Sequence, residues 1–162
     1  MTENQYLLDA FSCGNSGLDD TFRTSCADDE TAVTKIVINN DNNDVICVYS
    51  LNCASMILEN YGKHYPAPSV EIKYFAVNSK YQDLKAIDED DGCLSNVIFY
   101  DVMRHIFDFT DDICGANFVL LYSTPEGESF YRKCGFIDFP LEVWRNDSRY
   151  LDGCVPLYFR LR

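Results

Sequence analysis

Positive charge is what this sequence has least of. The chain of 162 residues carries 13 Lys and Arg against 26 Asp and Glu, a formal net charge of −13. Affinity for a phosphate backbone comes mainly from Lys and Arg that displace condensed counterions, and anionic membrane surfaces attract basic segments in the same way. The composition therefore predicts a protein that binds neither nucleic acid nor an anionic membrane.

Long apolar runs and linkers are also lacking. No stretch approaches the roughly 20 apolar residues that span a bilayer, and residues 1–5 show neither the basic nor the apolar segment of a secretory signal. The sequence therefore predicts a cytoplasmic protein. Because no repeat or Pro/Gly/Ser-rich linker interrupts the chain, and because 47% hydrophobic residues suffice for one core, we expect a single domain over residues 1–162.

Close pairs of potential metal ligands are scarce. The eight cysteines include no C-x-x-C pair, and the only histidines are His64 and His105. Without an export signal, we expect reduced thiols that serve as small core residues. A structural zinc site needs clustered Cys and His ligands, so we expect no metal. The acidic run at 88–91 could attract a divalent cation, although such runs are usually solvated surface.

The predicted elements alternate between strands and helices. The first predicted element is a helix through Leu18, Phe22 and Cys26, capped by Asn15 or Ser16. Strands at 31–38 and 45–51 form a hairpin and are followed by a loop holding residues 65–68, a strand at 70–77 and an acidic irregular stretch at 78–93. The remaining elements are a helix at 94–109, a strand at 118–122, a short helix opened by Thr124, Pro125 and Glu126 and closed near Gly135, and strands at 136–139 and 155–161. This order predicts a mixed α/β (α+β) fold in which helices interrupt a largely antiparallel sheet. On the polar side of helix 94–109, we expect His105 to be solvated beside Asp101 or Asp108.

Three motifs follow one another along the chain. Residues 11–19 are FSCGNSGLD, residues 65–68 are YPAP with FAVN at 75–78, and residues 129–136 are SFYRKCGF. They are similar, in this order, to the F-x-C-G-N and L-D opening, the P-x-P and L-A-V-D strand, and the F-Y-x-x-x-G-F cofactor motif of GNAT N-acetyltransferases. The chain resembles in particular the small branch of that family that includes toxin-like acetyltransferases of bacterial toxin–antitoxin loci.

The resemblance implies a fold, a cofactor and its binding residues. The fold would be a central, mostly antiparallel twisted sheet of about six or seven strands flanked by helices, and the cosubstrate would be acetyl-CoA. The strands at 70–77 and 118–122 would splay apart, so that backbone groups could take the pantetheine arm as a short added strand. The N-terminus of the helix at 94 would hold the pyrophosphate. The implied cofactor-binding residues are Phe75, Ala76, Val77, Gln82, Ser95, Asn96, Ser129 and Phe130.

The phosphate loop departs from the family pattern. Gln82 is followed by Asp83-Leu84-Lys85 rather than by the glycines of Q/R-x-x-G-x-G/A. Residues 83–93 carry five acidic residues against one lysine, a local charge of −4 beside the expected phosphate position. This departure favours an alternative function, a GNAT-fold binding or regulatory protein that has lost catalysis.

Acetyl transfer to an amine needs an acid near the departing thiolate and a base for the amine proton. The resemblance implies that Tyr131 is the acid; otherwise it is a core tyrosine. For the base we favour Glu71, which aligns with the catalytic glutamate of the lysine-acetylating branch. Otherwise Glu71 is an exposed strand residue paired with Lys73 or Lys35.

The negative charge also bears on the acceptor. A cationic amine would be attracted to acidic walls, whereas the tRNA that toxin-like relatives modify would be repelled. We therefore expect acetyl transfer to a small cationic amine or a lysine side chain, with no nucleic-acid or membrane partner. Exposed strand edges would allow a homodimer. A Cys/His hydrolase would rest on cysteine abundance alone, because no nucleophile motif supports it.

Overall fold

The computed structural model describes residues 5–26, 28–85, 92–139, 149 and 152–162. The strands form a six-stranded sheet in the order β1-β2-β3-β4-β6-β5, in which β3 and β4 run parallel while β1–β2, β4–β6 and β5–β6 run antiparallel. The predicted α+β class with a mostly antiparallel sheet is thus confirmed. The described elements are a 3-10 helix Gln5–Leu8, α1 Ser16–Thr24, β1 Val33–Ile38, β2 Val45–Asn60, β3 Lys63–Val77, α2 Leu94–Asp112, β4 Phe118–Ser123, α3 Glu128–Lys133, β5 Ile137–Asp138 and β6 Val155–Arg160.

The chain divides into two compact units. Unit 1 comprises Met1–Leu51 and Tyr74–Ile106, and unit 2 comprises Asn52–Lys73 and Phe107–Arg162. In unit 1, the fully buried ring of Phe22 makes edge-on contacts at centroid distances of 5.7 Å with both Phe11 and Tyr74. In unit 2, the core cluster consists of Met56, Ala67, Phe118 and Leu120, with Ala54, Leu58, Phe139 and Tyr158 packed against it.

The N-terminal helix begins as the sequence predicts. The side chain of Asn15 accepts a hydrogen bond from the Leu18 amide at 3.1 Å, which satisfies one of the amides left unpaired in a first helical turn. Ser16 is the first helical residue rather than the cap. The helix ends at Thr24, and Cys26 is buried just beyond it.

Strands β2 and β3 are longer than the sequence predicts, and the predicted loop at 65–68 is wrong. A two-residue turn joins the strands, with positive φ at Tyr61 (50°) and Gly62 (71°), as tight hairpins require. Alternation from this turn places Pro66 and Pro68 on the edge facing away from β2. The paired register with β4 starts only at Ser69, so the missing proline N–H groups cost no ladder hydrogen bond.

The helices after β3 confirm the predictions in part. Helix α2 runs to Asp112, three residues beyond the predicted end. His105 does not pair with Asp101 or Asp108 as predicted; its Nε2 lies 2.9 Å from Lys35 Nζ. Helix α3 begins at Glu128, because the Thr124 carbonyl accepts the amides of Gly127 and Glu128 and closes a turn instead.

The cysteines are all free thiols. Cys26 and Cys47 are buried, but Cys53 is exposed, so the predicted core role is wrong for that residue. Burial is the main cause that raises the pKa of the Cys13 thiol to about 11 and raises the pKa of Cys47. None of the described helices combines the length and apolar character that a membrane crossing needs.

Candidate active site

The end of β3 is the segment for which main-chain contacts to the cofactor are predicted. The register between β3 and β4 covers Ser69 to Ile72, although β3 continues to Val77. The amide of Asn78 donates to the Ile46 carbonyl on β2 at 2.8 Å. The Pro68 carbonyl, in contrast, accepts the Asn117 amide and so faces away from β2, which means that the alternation of backbone groups shifts by one residue between Pro68 and Asn78. Counted back from Asn78, the main chain of Ala76 faces β2, while Phe75 and Val77 face the opposite edge. The geometry therefore favours Phe75 and Val77 over Ala76 for a backbone contact with an added strand.

Gln82 and Ser95 form a hydrogen-bonded chain with the end of β3. The Gln82 Nε2 donates to the carbonyls of Val77 and Cys13, each at 2.8 Å. The hydroxyl of Ser95, in the first turn of α2, donates to the Gln82 carbonyl at 3.2 Å. Val77, Gln82 and Ser95, predicted to bind the cofactor, are thus neighbours in the structure. The amide nitrogen of Gln82 donates to the protein's own backbone, so the predicted contact of Gln82 with the cofactor would have to use another atom.

The first turn of α2 is the predicted pyrophosphate site. The Leu94 amide donates to the Leu84 carbonyl at 2.8 Å, and the Asn96 amide donates to the Cys93 carbonyl at 3.0 Å. Both amides donate to the protein's own backbone, whereas no described residue accepts the Ser95 amide, so Ser95 is the better candidate of the predicted pair for an anion. The acidic residues at 88–91, and with them the possible cation site considered from the sequence, lie outside the described residues.

Tyr131 lies on α3 in unit 2, half-buried among aromatic rings. Its ring centroid is 5.2 Å from that of Phe130 and 6.1 Å from that of Phe136. Ser129 is exposed on the same short helix. Gly135, with φ 91°, ends this segment as predicted. The packing holds the phenol in a defined orientation, as a proton donor requires, but a structural tyrosine would be held in the same way.

Glu71 is not the exposed residue of the alternative prediction. It is 8% exposed on β3 and forms an ion pair with Arg149, a partner 78 positions away in the sequence. The Arg149 guanidinium carbon also lies 3.8 Å from the centroid of the Tyr122 ring on β4. A carboxylate this deeply buried requires a charged partner or hydrogen-bond donors, and Arg149 supplies both. Sequence reasoning missed Arg149 because no local pattern links positions that far apart.

Asp19, in the FSCGNSGLD motif, is a buried carboxylate whose role the sequence did not reveal. It accepts hydrogen bonds from the Ser12 hydroxyl at 2.7 Å and from the Cys13 amide at 2.8 Å. Burial alone would raise the pKa of Asp19, but these hydrogen bonds outweigh it and hold the pKa below its ordinary value. The motif thus ties the segment before α1 to the helix.

Metal chemistry finds no support in the part of the chain that the structure describes. There, no three His, Cys, Asp or Glu side chains lie close enough together to hold an ion. The chemistry available among the candidate residues is that of backbone amides in unit 1, and of a phenol and a buried ion pair in unit 2.

Comparison with known proteins identifies the fold. No protein-family model and no curated protein sequence matches the chain. Among solved structures, a bacterial toxin matches at 18% identity and a TM-score of 0.73, covering 99% of this chain and 85% of that one. A tyrosine-to-phenylalanine variant of the AtaT toxin, bound to the C-terminus of the antitoxin AtaR and acetyl-CoA, matches at 17% identity and 0.68, covering 95% and 85%.

AtaT complexed with acetyl-methionyl-tRNAfMet matches at 16% identity and a TM-score of 0.71, covering 94% of this chain and 86% of that one. The GNAT fold and the resemblance to the toxin-like branch are thereby confirmed. The predicted partners, in contrast, are wrong: the solved structures that match include a complex with an antitoxin and a complex with a charged tRNA, whereas the sequence predicted no nucleic-acid partner. Net charge misled the prediction because it averages over the whole surface.

Proposed function

We propose that this chain is an acetyl-CoA-dependent N-acetyltransferase whose acceptor is the amino group of an aminoacyl-tRNA. The observation that carries the proposal is the match over nearly the whole chain to AtaT in complexes with acetyl-CoA and with acetyl-methionyl-tRNAfMet. A protein partner comparable to the antitoxin AtaR is part of the same proposal.

The described residues are compatible with acetyl-CoA. The edge of β3 at Phe75 and Val77 can pair with the amide groups of the pantetheine arm, as an added strand would. The first turn of α2, at Ser95, supplies a helix N-terminus for phosphate. Lys85 and Ile87 stand where the family has glycines, and this departure supports the second candidate, a binding or regulatory protein without catalysis.

In the proposed reaction, the acceptor nitrogen attacks the thioester carbonyl, so that a C–N bond forms and the C–S bond breaks. The thioester supplies the activated acyl group. Tyr131 donates its phenolic proton to the departing sulfur, and the proton that the nitrogen loses restores the phenol. General acid assistance of this kind contributes about 10²- to 10⁴-fold in rate.

The distribution of charge is consistent with a tRNA acceptor. Unit 1 contains 15 Asp and Glu against 5 Lys and Arg, a net charge of −10, whereas unit 2 contains 11 against 8, a net charge of −3. Tyr131 belongs to the less acidic unit. Because acidic surface repels phosphates, we expect the acceptor RNA to contact residues of unit 2 rather than those of unit 1.

The test uses labelled acetyl-CoA with a mixture of aminoacyl-tRNAs and measures labelled N-acetyl-aminoacyl-tRNA together with thiol release. Tyr131→Phe should lose about 10²- to 10⁴-fold in kcat while it still binds acetyl-CoA. Tyr100→Phe, an exposed tyrosine on α2, is the matched control and should behave as wild type. If the wild-type chain transfers no acetyl group, or if Tyr131→Phe is fully active, the proposal is overturned.

A further inference from the structure

The ion pair between Glu71 and Arg149 differs from other ion pairs of the described residues in where its acid lies. The Glu71 side chain is 10% exposed, whereas the acidic partners of Arg104, Arg132 and Arg162 are more exposed: Asp101 by 65%, Asp138 by 72%, Glu128 by 32% and Asp111 by 64%. An exposed acid beside a guanidinium repels an approaching phosphate. Glu71, the acid that the described residues place against Arg149, is instead withdrawn from the surface.

The guanidinium of Arg149 is fixed and yet reaches solvent. Glu71 accepts its hydrogen bond, and the ring of Tyr122 lies 3.8 Å from its carbon, a stacking arrangement that Arg adopts readily. The Arg149 carbonyl accepts the Cys154 amide at 2.9 Å, which anchors the backbone. The Arg149 side chain remains 40% exposed. A guanidinium presents five N–H donors in a rigid fork, so a group pinned in this way is ready to meet a planar or tetrahedral oxyanion from outside.

We propose that Arg149 binds a phosphodiester group at the acceptor end of the aminoacyl-tRNA, and that Glu71 and Tyr122 are positioning residues that orient its guanidinium. This inference rests on the proposed function for the identity of the anion. It assigns Glu71 a role other than proton removal, because its carboxylate accepts the hydrogen bond of Arg149. No carboxylate of β3 then accepts the proton that the acceptor amine loses.

The first experiment compares Arg149→Gln with Arg104→Gln, an exposed arginine of unit 1 that serves as the charge-matched control. Steady-state kinetics should show the KM for aminoacyl-tRNA raised about tenfold or more in Arg149→Gln, as expected for loss of a charge-assisted contact, with the KM for acetyl-CoA unchanged. Arg104→Gln should change neither. A raised KM for acetyl-CoA instead would assign the anion to the cofactor and overturn the proposal.

The second measurement is direct binding of aminoacyl-tRNA at several salt concentrations without acetyl-CoA. Removing one phosphate contact should reduce the slope of log K against log salt by about 1 in Arg149→Gln. This readout needs no turnover, so failure of the proposed activity and failure of the present inference are distinguishable. An unchanged slope together with an unchanged KM would overturn the inference whether or not the wild type is active.

The third comparison tests the role of Glu71. Glu71→Gln keeps the shape of the side chain, and it should raise the KM for aminoacyl-tRNA while leaving the pH profile of kcat unchanged. A general base would behave differently: kcat would collapse and the limb of the pH profile that the base controls would disappear. That result would overturn the positioning role.

Loss of one charge from a buried pair can also unfold a protein. The double variant Glu71→Gln/Arg149→Gln removes both charges, and Arg149→Lys keeps the charge without the fork. If Arg149→Gln unfolds, the double variant should fold but bind tRNA weakly, and Arg149→Lys should bind with intermediate affinity. Wild-type affinity in a folded double variant would contradict the proposal.

Discussion

The two units of the chain use charged residues differently. Unit 1 has a net charge of −10 and unit 2 a net charge of −3. In unit 1 the buried carboxylate of Asp19 is satisfied by a hydroxyl and an amide, whereas in unit 2 the buried carboxylate of Glu71 is held by a guanidinium. The partners of Asp19 lie within seven positions in the sequence, whereas the partner of Glu71 lies 78 positions away, so the first carboxylate stabilises a local segment and the second links distant ones.

The cores differ as well. Unit 1 packs aromatic side chains from the segment before α1, from α1 and from β3 around Phe22. Unit 2 packs side chains of neighbouring strands, among them Phe118 and Tyr158 with centroids 5.8 Å apart. Phe22 is the fully buried hydrophobic side chain of α1, so its substitution should be more damaging than the helix's short length suggests.

The largest expected effect on stability comes from Phe22→Ala. Removing a fully buried aromatic side chain costs about 3–5 kcal/mol in the free energy of unfolding, and Phe22 is 0% exposed. Urea denaturation followed by fluorescence measures the change. Tyr6→Ala, at a residue 68% exposed, is the control and should cost far less. Similar losses for both variants would contradict the central place of Phe22 in unit 1.

Asp19→Asn should destabilise the protein by about 1–3 kcal/mol at neutral pH. The pKa of Asp19 is lower in the folded state than in the unfolded state, so its charge adds stability above the unfolded pKa of about 3.9, and this stability is lost as the pH falls through the folded pKa. Urea denaturation between pH 7 and pH 3 should therefore show a wild-type advantage that shrinks below about pH 4. A constant difference across this range would refute the assignment.

Gly135→Ala should cost about 1–2 kcal/mol. Gly135 has φ 91°, and an added Cβ would lie 3.3 Å from the Phe159 ring. Gly17→Ala is the matched change in unit 1: Gly17 lies in α1, where the added Cβ meets an ordinary contact of 3.4 Å, and alanine should gain about 0.5 kcal/mol. Thermal unfolding of both variants checks the opposite signs; the same sign for both would contradict the conformational argument.

The smallest effect belongs to the cap of α1. Asn15→Ala removes the acceptor for the Leu18 amide and should cost about 1 kcal/mol. Asn15→Ser keeps a capping oxygen and should stay within a few tenths of the wild type. Urea denaturation resolves the two, and equal losses would show that the cap hydrogen bond contributes nothing to unit 1.

Much of the fold could be predicted because its signals are local. The periodicity of α2, the apolar run of β4 and the turn-formers between β1 and β2 each specify an element within a few residues of sequence. The extension of β2 and β3 to a hairpin at Tyr61 and Gly62 could not be predicted, because prolines at 66 and 68 normally argue against a strand. They fit only because the edge that they occupy faces away from β2.

The candidate site was predictable to a similar degree. Motif order predicted Val77, Gln82 and Ser95 as neighbours, and it placed Tyr131 on a short helix. Chemical partnership was not predictable: His105 bonds to Lys35, and Glu71 pairs with Arg149. These partners lie 70 and 78 positions apart, and sequence patterns carry no information on contacts at that range.

By itself, the sequence determined the α+β class, the cap of α1, the stop at Gly135 and the order of the motifs, because hydrogen bonding within a few residues and the periods of helix and strand fix them. Only the tertiary structure decided which acid is satisfied by which donor and how the negative charge divides between the units. Net charge is a sum over the chain, whereas electrostatic attraction and burial depend on distance, and distance is set by the fold.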